Sequence, residues 1–212
     1  MQYKKFLLGL TLTSLSILAP LRSTSAQEVW RGRRGNCTLE ARVTPAMQTK
    51  EIINREFGFS FKIPANYTAE VSRTQDLRDR EKLRISLLNP ADTAFSNCSR
   101  KNGVIGWGTA IRKVSIIIKK IPNGVSNIKD LPIFNHQVVT LANRNETMIA
   151  NQPAVIHTLK IPYKEYQEVT ASIFSPDRQY LVDITLGSYE GDNINREEKV
   201  FSTVIKSFTF RK

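Results

Sequence analysis

Two cysteines, two histidines and a run of arginines are the residues of this 212-residue chain whose chemistry their spacing constrains. Cys37 and Cys98 lie too far apart for a CxxC redox or zinc motif, and in an oxidising compartment two thiols in one chain more often pair as a disulfide than stay free, two separate reduced thiols being the alternative. Closing about 60 residues, that bond is worth roughly 4 kcal/mol in the chain-entropy description. His136 and His157 are too few for a zinc set or for histidine-centred nucleophilic catalysis. His157 falls in the alternation Val155, His157, Leu159, Ile161, which predicts a partly buried strand histidine with a hydrogen-bond partner. The carboxylates Glu165, Glu168, Asp183 and Glu190 are expected as solvated rim charge. No Gly-x-Ser-x-Gly elbow, His-Glu-x-x-His helix or phosphate-cradling glycine loop occurs, so no catalytic, cofactor or metal residue is assigned. Trp30 with Arg31, Arg33 and Arg34 remains. Arginine and tryptophan are favoured at interfaces, and this group suits contact with an anionic partner; the alternative is a solvated, mobile extension.

The compartment follows from the first 26 residues. Lys4 and Lys5 precede the charge-free, leucine-rich stretch Phe6 to Ala19, and Ser23 to Ala26 supply small residues for cleavage, which predicts an export signal over 1–26. The stretch is shorter than the ~20 residues a bilayer span needs, and no cysteine follows it closely enough for lipid attachment. The expected address is periplasm, thylakoid lumen or extracellular space, with no membrane span after signal removal. The chain carries 31 Lys and Arg against 19 Asp and Glu, a net charge of +12; losing Lys4, Lys5 and Arg22 leaves about +9. In an exported protein that excess points to anionic lipid head groups, cell-wall polymers or acidic protein surfaces and away from nucleic acid, and the partner expected is a protein, acidic or membrane-associated. Sequons at Asn36, Asn66, Asn97 and Asn145 matter only in a eukaryotic pathway. The mature chain reads as an irregular extension over 27–53 and one domain over 54–212, its oligomeric state open.

Phe57, Phe59, Phe61 and Ile63 alternate and stop at Pro64, the mark of a strand with one buried face. Thr68 to Arg84 is charged and expected to be exposed and partly helical. Its basic residues, Arg73, Arg78, Arg80, Lys82 and Arg84, are diluted by acids. A strand at Leu83 to Leu88 leads into a polar loop, Asn89 to Gly103, that holds Cys98. The β-branched run through Ile116, Ile117 and Ile118 predicts a central strand, with Arg112, Lys113, Lys119 and Lys120 marking where it meets water. A short helix is expected near Asn127 to Leu131. Strands follow at Arg144 to Ala150, Pro153 to Pro162, Tyr166 to Phe174 and Gln179 to Gly187. The last element is a helix from an Asn195-x-x-Glu198 capping box through Phe201, Val204 and Ile205, with a short terminal strand after it.

Phe57-Gly58-Phe59-Ser60-Phe61-Lys62-Ile63-Pro64 with Tyr67, then Asn151-Gln152-Pro153-Ala154, then Val200 to Phe210 ending in Ser207-Phe208-Thr209-Phe210, resemble the Mog1/PsbP-like domains over about Asn54 to Lys212. The resemblance implies an α+β fold, an antiparallel sheet flanked by helices on both faces as an α/β/α sandwich. It also implies an exported, non-enzymatic protein-binding or assembly accessory domain, binding to another protein being the commonest theme among members. Two alternatives stay open: a secreted enzyme or small-ligand carrier with a pocket at the sheet edge, and an extrinsic photosystem II-associated lumenal protein. The Cys37 extension and the Cys98 loop depart from the photosynthetic members, and no metal-ligand motif of theirs can be placed.

Overall fold

The computed structural model describes residues 28–73, 81–104, 113–132, 139–161, 166–189 and 194–211. The signal segment 1–26 and the positions Arg78, Arg80, Arg112, His136, Glu165 and Glu190 lie outside the described residues.

The β-branched run forms β7 (Val114–Lys119), buried on both faces as a central strand must be. β6 (Glu81–Leu88) and β11 (Leu181–Tyr189) flank it. Outward from β6 lies β5 (Thr68–Ser72), and outward from β11 lie β10 (Tyr166–Phe174), β9 (Gln152–Ile161) and β8 (Thr140–Ile149). All seven pair antiparallel in the order β5-β6-β7-β11-β10-β9-β8, so the last four form a meander. The hairpin between β8 and β9 turns on Ala150 and Asn151, both at positive φ, the geometry that matches strand twist in a two-residue loop.

β4 (Phe59–Pro64) belongs to a separate three-stranded sheet, with β3 (Thr49–Asn54) on one side and β12 (Thr209–Phe210) on the other. Together with α2 (Asn195–Ser207) it covers one face of the large sheet. Phe59, Phe61 and Ile63 meet Val200, Val204 and Phe208 from the helix end, and Ile85, Ile116, Ile173, Val182 and Ile184 from the sheet. Each such side chain contributes about 1.5–3 kcal/mol by leaving water. The helix begins without the expected capping box: Ile194 occupies the cap position and no side chain bonds there.

The opposite face corrects the expected sandwich. The described chain is mostly β, with twelve strands in three antiparallel sheets and two short α-helices, and helices do not flank the large sheet on both faces. A 3-10 turn, η1 (Ile128–Asp130), packs Ile128 and Leu131 on Val155, Phe174 and Leu181 at one end of that face. α1 (Pro90–Asn102) packs mainly on β2 (Asn36–Leu39), which pairs with β1 (Glu28–Arg31). A sheet face rich in hydroxyls, among them Ser86, Ser115, Thr170, Ser172 and Thr185, offers little apolar surface for a second helix. The stretch expected as an irregular extension thus holds β1, β2 and β3, and the expected polar loop is α1.

Candidate anionic-partner interface

α1 starts where Asn89 caps it, with Pro90 in the first turn and Asp92 completing a capping box. It stops at Gly103, whose left-handed backbone (φ 66°) suits a residue without Cβ. Cys98 on its last turns joins Cys37 of β2 in a disulfide, Cα–Cα 5.8 Å, as the compartment argument expects. Around that bond lies a small core separate from the main one, made of Cys37, Phe95 and Val104 with Trp30 and Leu39 against it. Trp30 sits edge-on to Phe95, ring centroids 6.0 Å apart, and is half-buried. Its main contact is therefore internal: it anchors the hairpin on α1.

Between β1 and β2 the chain turns through residues 32–35, with the Gly32 amide donating to the Gly35 carbonyl at 2.9 Å. The Arg34 amide donates to the Asn102 carbonyl at 3.0 Å, which lays the turn on the C-terminus of α1. A Cβ at Gly32 would stand 2.5 Å from that same carbonyl oxygen and 2.7 Å from Val104 Cγ2, so only glycine lets the turn come this close. Gly32→Ala is expected to lower stability by roughly 1–3 kcal/mol and to raise amide exchange in residues 31–36. An unchanged exchange pattern would show that the turn does not depend on this contact.

Arg31 at the end of β1 and Arg33 and Arg34 in the turn are exposed. Among the described residues no carboxylate pairs with any of the three. Arg100 and Lys101 in the last turn of α1 extend the basic surface, although Arg100 also reaches Glu70 at 3.6 Å. The negative end of the α1 dipole, directly beneath, offsets part of the repulsion within the cluster. The arrangement is a cation cluster held against the end of α1 and suited to meeting an anionic surface.

The other basic segments are engaged differently. Arg73 pairs with Glu56 at 2.5 Å and Arg84 with Glu81 at 2.8 Å, both toward neighbours on the same surface. Lys113 is buried and stacks over the Tyr189 ring at 5.3 Å, and Lys119 binds Asp183 at 2.8 Å, so these lysines do more than mark the ends of β7.

Asp183 is a correction to the expectation of solvated rim charge: it is buried and also accepts from Ser172 Oγ at 2.7 Å. Glu168 accepts from Tyr166 Oη at 3.1 Å and Thr170 Oγ1 at 3.2 Å. Burial first, and then the Glu168 charge, push the Tyr166 phenol well above its usual range. Glu168 and Asp183 share a face, but Asp183 sits opposite Ser172, four residues along the strand from Glu168, about 13 Å. They do not form an acid/base pair. His157 is a buried strand histidine as expected, yet its Nδ1 has no partner among the described residues. Burial holds its imidazole below the usual range, against the opposing pull of Asp183.

The residues that sequence reasoning missed are Arg42 and Asn89. Asn89 Oδ1 accepts from the amides of Ala91 (3.2 Å) and Val43 (2.9 Å), while its Nδ2 donates to the Val43 carbonyl (2.7 Å) and to Tyr67 Oη (3.0 Å). Arg42 lies between Asp92 of α1, at 3.3 Å, and Glu197 of α2, at 3.4 Å. These two residues fasten the chain between the hairpin and β3 to both helices. The Asn-Pro-x-Asp pattern at Asn89 was the available signal for the cap. Nothing local marks Arg42.

An open groove between residues 44–49 and the outer side of α2 is lined by Thr44, Met47, Ser202 and Thr203, with Glu198, Lys199 and Lys206 as its charged members. Among the described residues no helix is long and apolar enough to cross a membrane. No family model matches the chain, and no curated protein matches it. Among solved structures it is similar to the solution structure of cyanobacterial PsbP from Synechocystis sp., at 13% identity over 76% of this chain and 92% of that one, with a TM-score of 0.46. It is also similar to a crystal structure from Bacteroides thetaiotaomicron, at 14% identity over 78% of this chain and 50% of that one, with a TM-score of 0.40.

Proposed function

We propose that this chain is an exported, non-enzymatic accessory domain that binds an acidic protein surface through the turn carrying Arg31, Arg33 and Arg34. The observation that carries the reading is the way these cations are held. Three exposed guanidiniums without carboxylate partners among the described residues are set on a turn that a disulfide, a glycine contact and a backbone hydrogen bond fix to α1. Fixing a turn in advance removes ordering entropy from the binding step. The disulfide and the signal-like N-terminus support an oxidising, exported address, and the sequence resemblance to Mog1/PsbP-like domains supports a binding role.

The test is retention of partner from an envelope extract of the host on immobilised protein. A partner held at about 50 mM salt and released near 0.5 M is expected, because exposed charge pairs are screened within a few ångströms at high ionic strength. Arg31→Glu/Arg33→Glu/Arg34→Glu should lower retention at low salt at least about tenfold. Retention that ignores both salt and the triple substitution would sink the proposal. Binding to vesicles of anionic lipid at equal strength would replace the protein partner with a membrane surface.

A further inference from the structure

Among the described residues the outer edge of β8 has no partner strand. β8 is the last strand of the large sheet, ten residues long, paired to β9 on one side, and among the described residues no strand pairs with its other side. Its residues are exposed on both faces except Arg144, which is half-buried, and Ile149, which is buried, and Met148 and Leu141 are 61% and 39% exposed. The opposite edge, β5, is half as long and closes toward α1 through the contact of Glu70 with Arg100. A long edge strand presents a row of unpaired backbone donors and acceptors, which a second strand satisfies.

The sequence along this edge says which strand. Leu141-Ala142-Asn143-Arg144-Asn145-Glu146-Thr147-Met148-Ile149 is self-complementary about Asn145. When two copies are set antiparallel on a two-fold axis at Asn145, Arg144 of one lies opposite Glu146 of the other, twice. Asn143 then faces Thr147, and the apolar pairs Leu141/Ile149 and Ala142/Met148 lie outside them. Directly opposed residues of antiparallel strands share a face, so each Arg144 can reach its Glu146 counterpart. On the monomer Arg144 donates to the carbonyls of Lys129 and Leu131, and Glu146 meets Lys129 Nζ at 2.9 Å with both side chains more than half exposed. The register shift between Leu141 and Asn143 bends the strand at one end and leaves Asn143 to Thr147 as the regular pairing stretch. An unrelated strand would have to match an alternating positive and negative pair; a second copy does so by symmetry.

We infer that the chain forms a two-fold dimer in which β8 pairs with β8 of a second copy, joining two seven-stranded sheets into one. Sedimentation of the purified chain up to about 1 mM tests it, a range that reaches weak self-association. The wild type is expected to reach twice the monomer mass. Arg144→Glu and Glu146→Arg each place like charges across the axis and should weaken self-association at least about tenfold. Mixing the two restores it, since a strand with two acids then meets a strand with two bases. Asn145→Cys, in a chain whose described residues hold no free cysteine, should cross-link to itself on oxidation because the two positions oppose each other on the axis. A monomer throughout the range overturns the inference, as does a dimer indifferent to the single charge reversals. A mixture that fails to associate, with the Asn145→Cys chain remaining uncross-linked, overturns it as well. The charge-reversal mixture and the cross-link do not depend on the arginine turn, so failure here leaves the docking proposal standing.

Discussion

Replacing Arg42 by Met is expected to cost about 3–5 kcal/mol at neutral pH, a large share of a domain's whole margin of stability. Arg42 is the cation between two carboxylates that have almost no access to water: the side chains of Asp92 and Glu197 are 2% and 6% exposed, that of Arg42 21%. Met keeps the aliphatic length and removes the charge, so the effect isolates electrostatics from packing. Burial already holds the Asp92 carboxyl above its ordinary range, with Arg42 as the main opposing influence and Lys113 further off. A folded-state pKa raised above the unfolded one means that the native form holds its proton more tightly, so this group's contribution to stability falls as pH rises through that interval. Without Arg42 the interval widens. The loss in Arg42→Met should therefore be largest near pH 7 and shrink as pH falls and Asp92 takes up its proton. Asp92→Asn in the same background should recover part of it, since an amide can still accept the Asn89 amide hydrogen that Asp92 Oδ2 accepts at 3.3 Å. Chemical denaturation at several pH values measures both. A cost below about 1 kcal/mol, or one flat with pH, would mean that water reaches these carboxylates.

That site was invisible in the sequence, and the reason is physical. Arg42 meets Asp92 and Glu197 only after the chain has passed through two sheets, and no local period records a contact of that range. Local periods were legible where one face is apolar and the other is not. Phe59, Phe61 and Ile63 are fully buried as their alternation predicts, and the run through Ile116 to Ile118 is central. α1 escaped because the face it buries carries Ser96 and Ser99 beside Phe95, so hydroxyls occupy places where leucines would have drawn a helical stripe. Its ends were written plainly, in Asn89, Pro90, Asp92 and Gly103, but caps alone do not announce a helix. The sequence marks β8 only from Arg144, because its first four residues, 140–143, are all exposed and have no alternation to show. The α/β/α expectation failed for the same cause seen from the other side: the far face of the sheet is hydroxylated and charged. The cysteine pairing, in contrast, needed no geometry, only a count and a compartment.

Removing that pair, as Cys37→Ser/Cys98→Ser, is expected to cost about 4 kcal/mol for its 61-residue separation, and the structure says where the loss falls. The core beneath the disulfide, Cys37, Phe95 and Val104 with Trp30 and Leu39, is separate from the one that joins the large sheet to α2 and β4. The hairpin can therefore open while the sheets stay folded. Amides of residues 28–39 should lose protection against hydrogen exchange first, by local opening, while those of β7, β10 and β11, which open only with the whole domain, should fall by no more than about the thousandfold equivalent of that energy. The net charge of the protein is untouched by the substitution. If binding followed charge alone, the serine variant would retain its partner as the parent does. If it follows the fixed placement of Arg31, Arg33 and Arg34, retention falls, because ordering the freed turn costs about 1–2 kcal/mol for each residue that must be fixed on contact. Full retention with an opened hairpin would reduce the disulfide to a stabiliser and leave the arginine turn without a reason for its geometry.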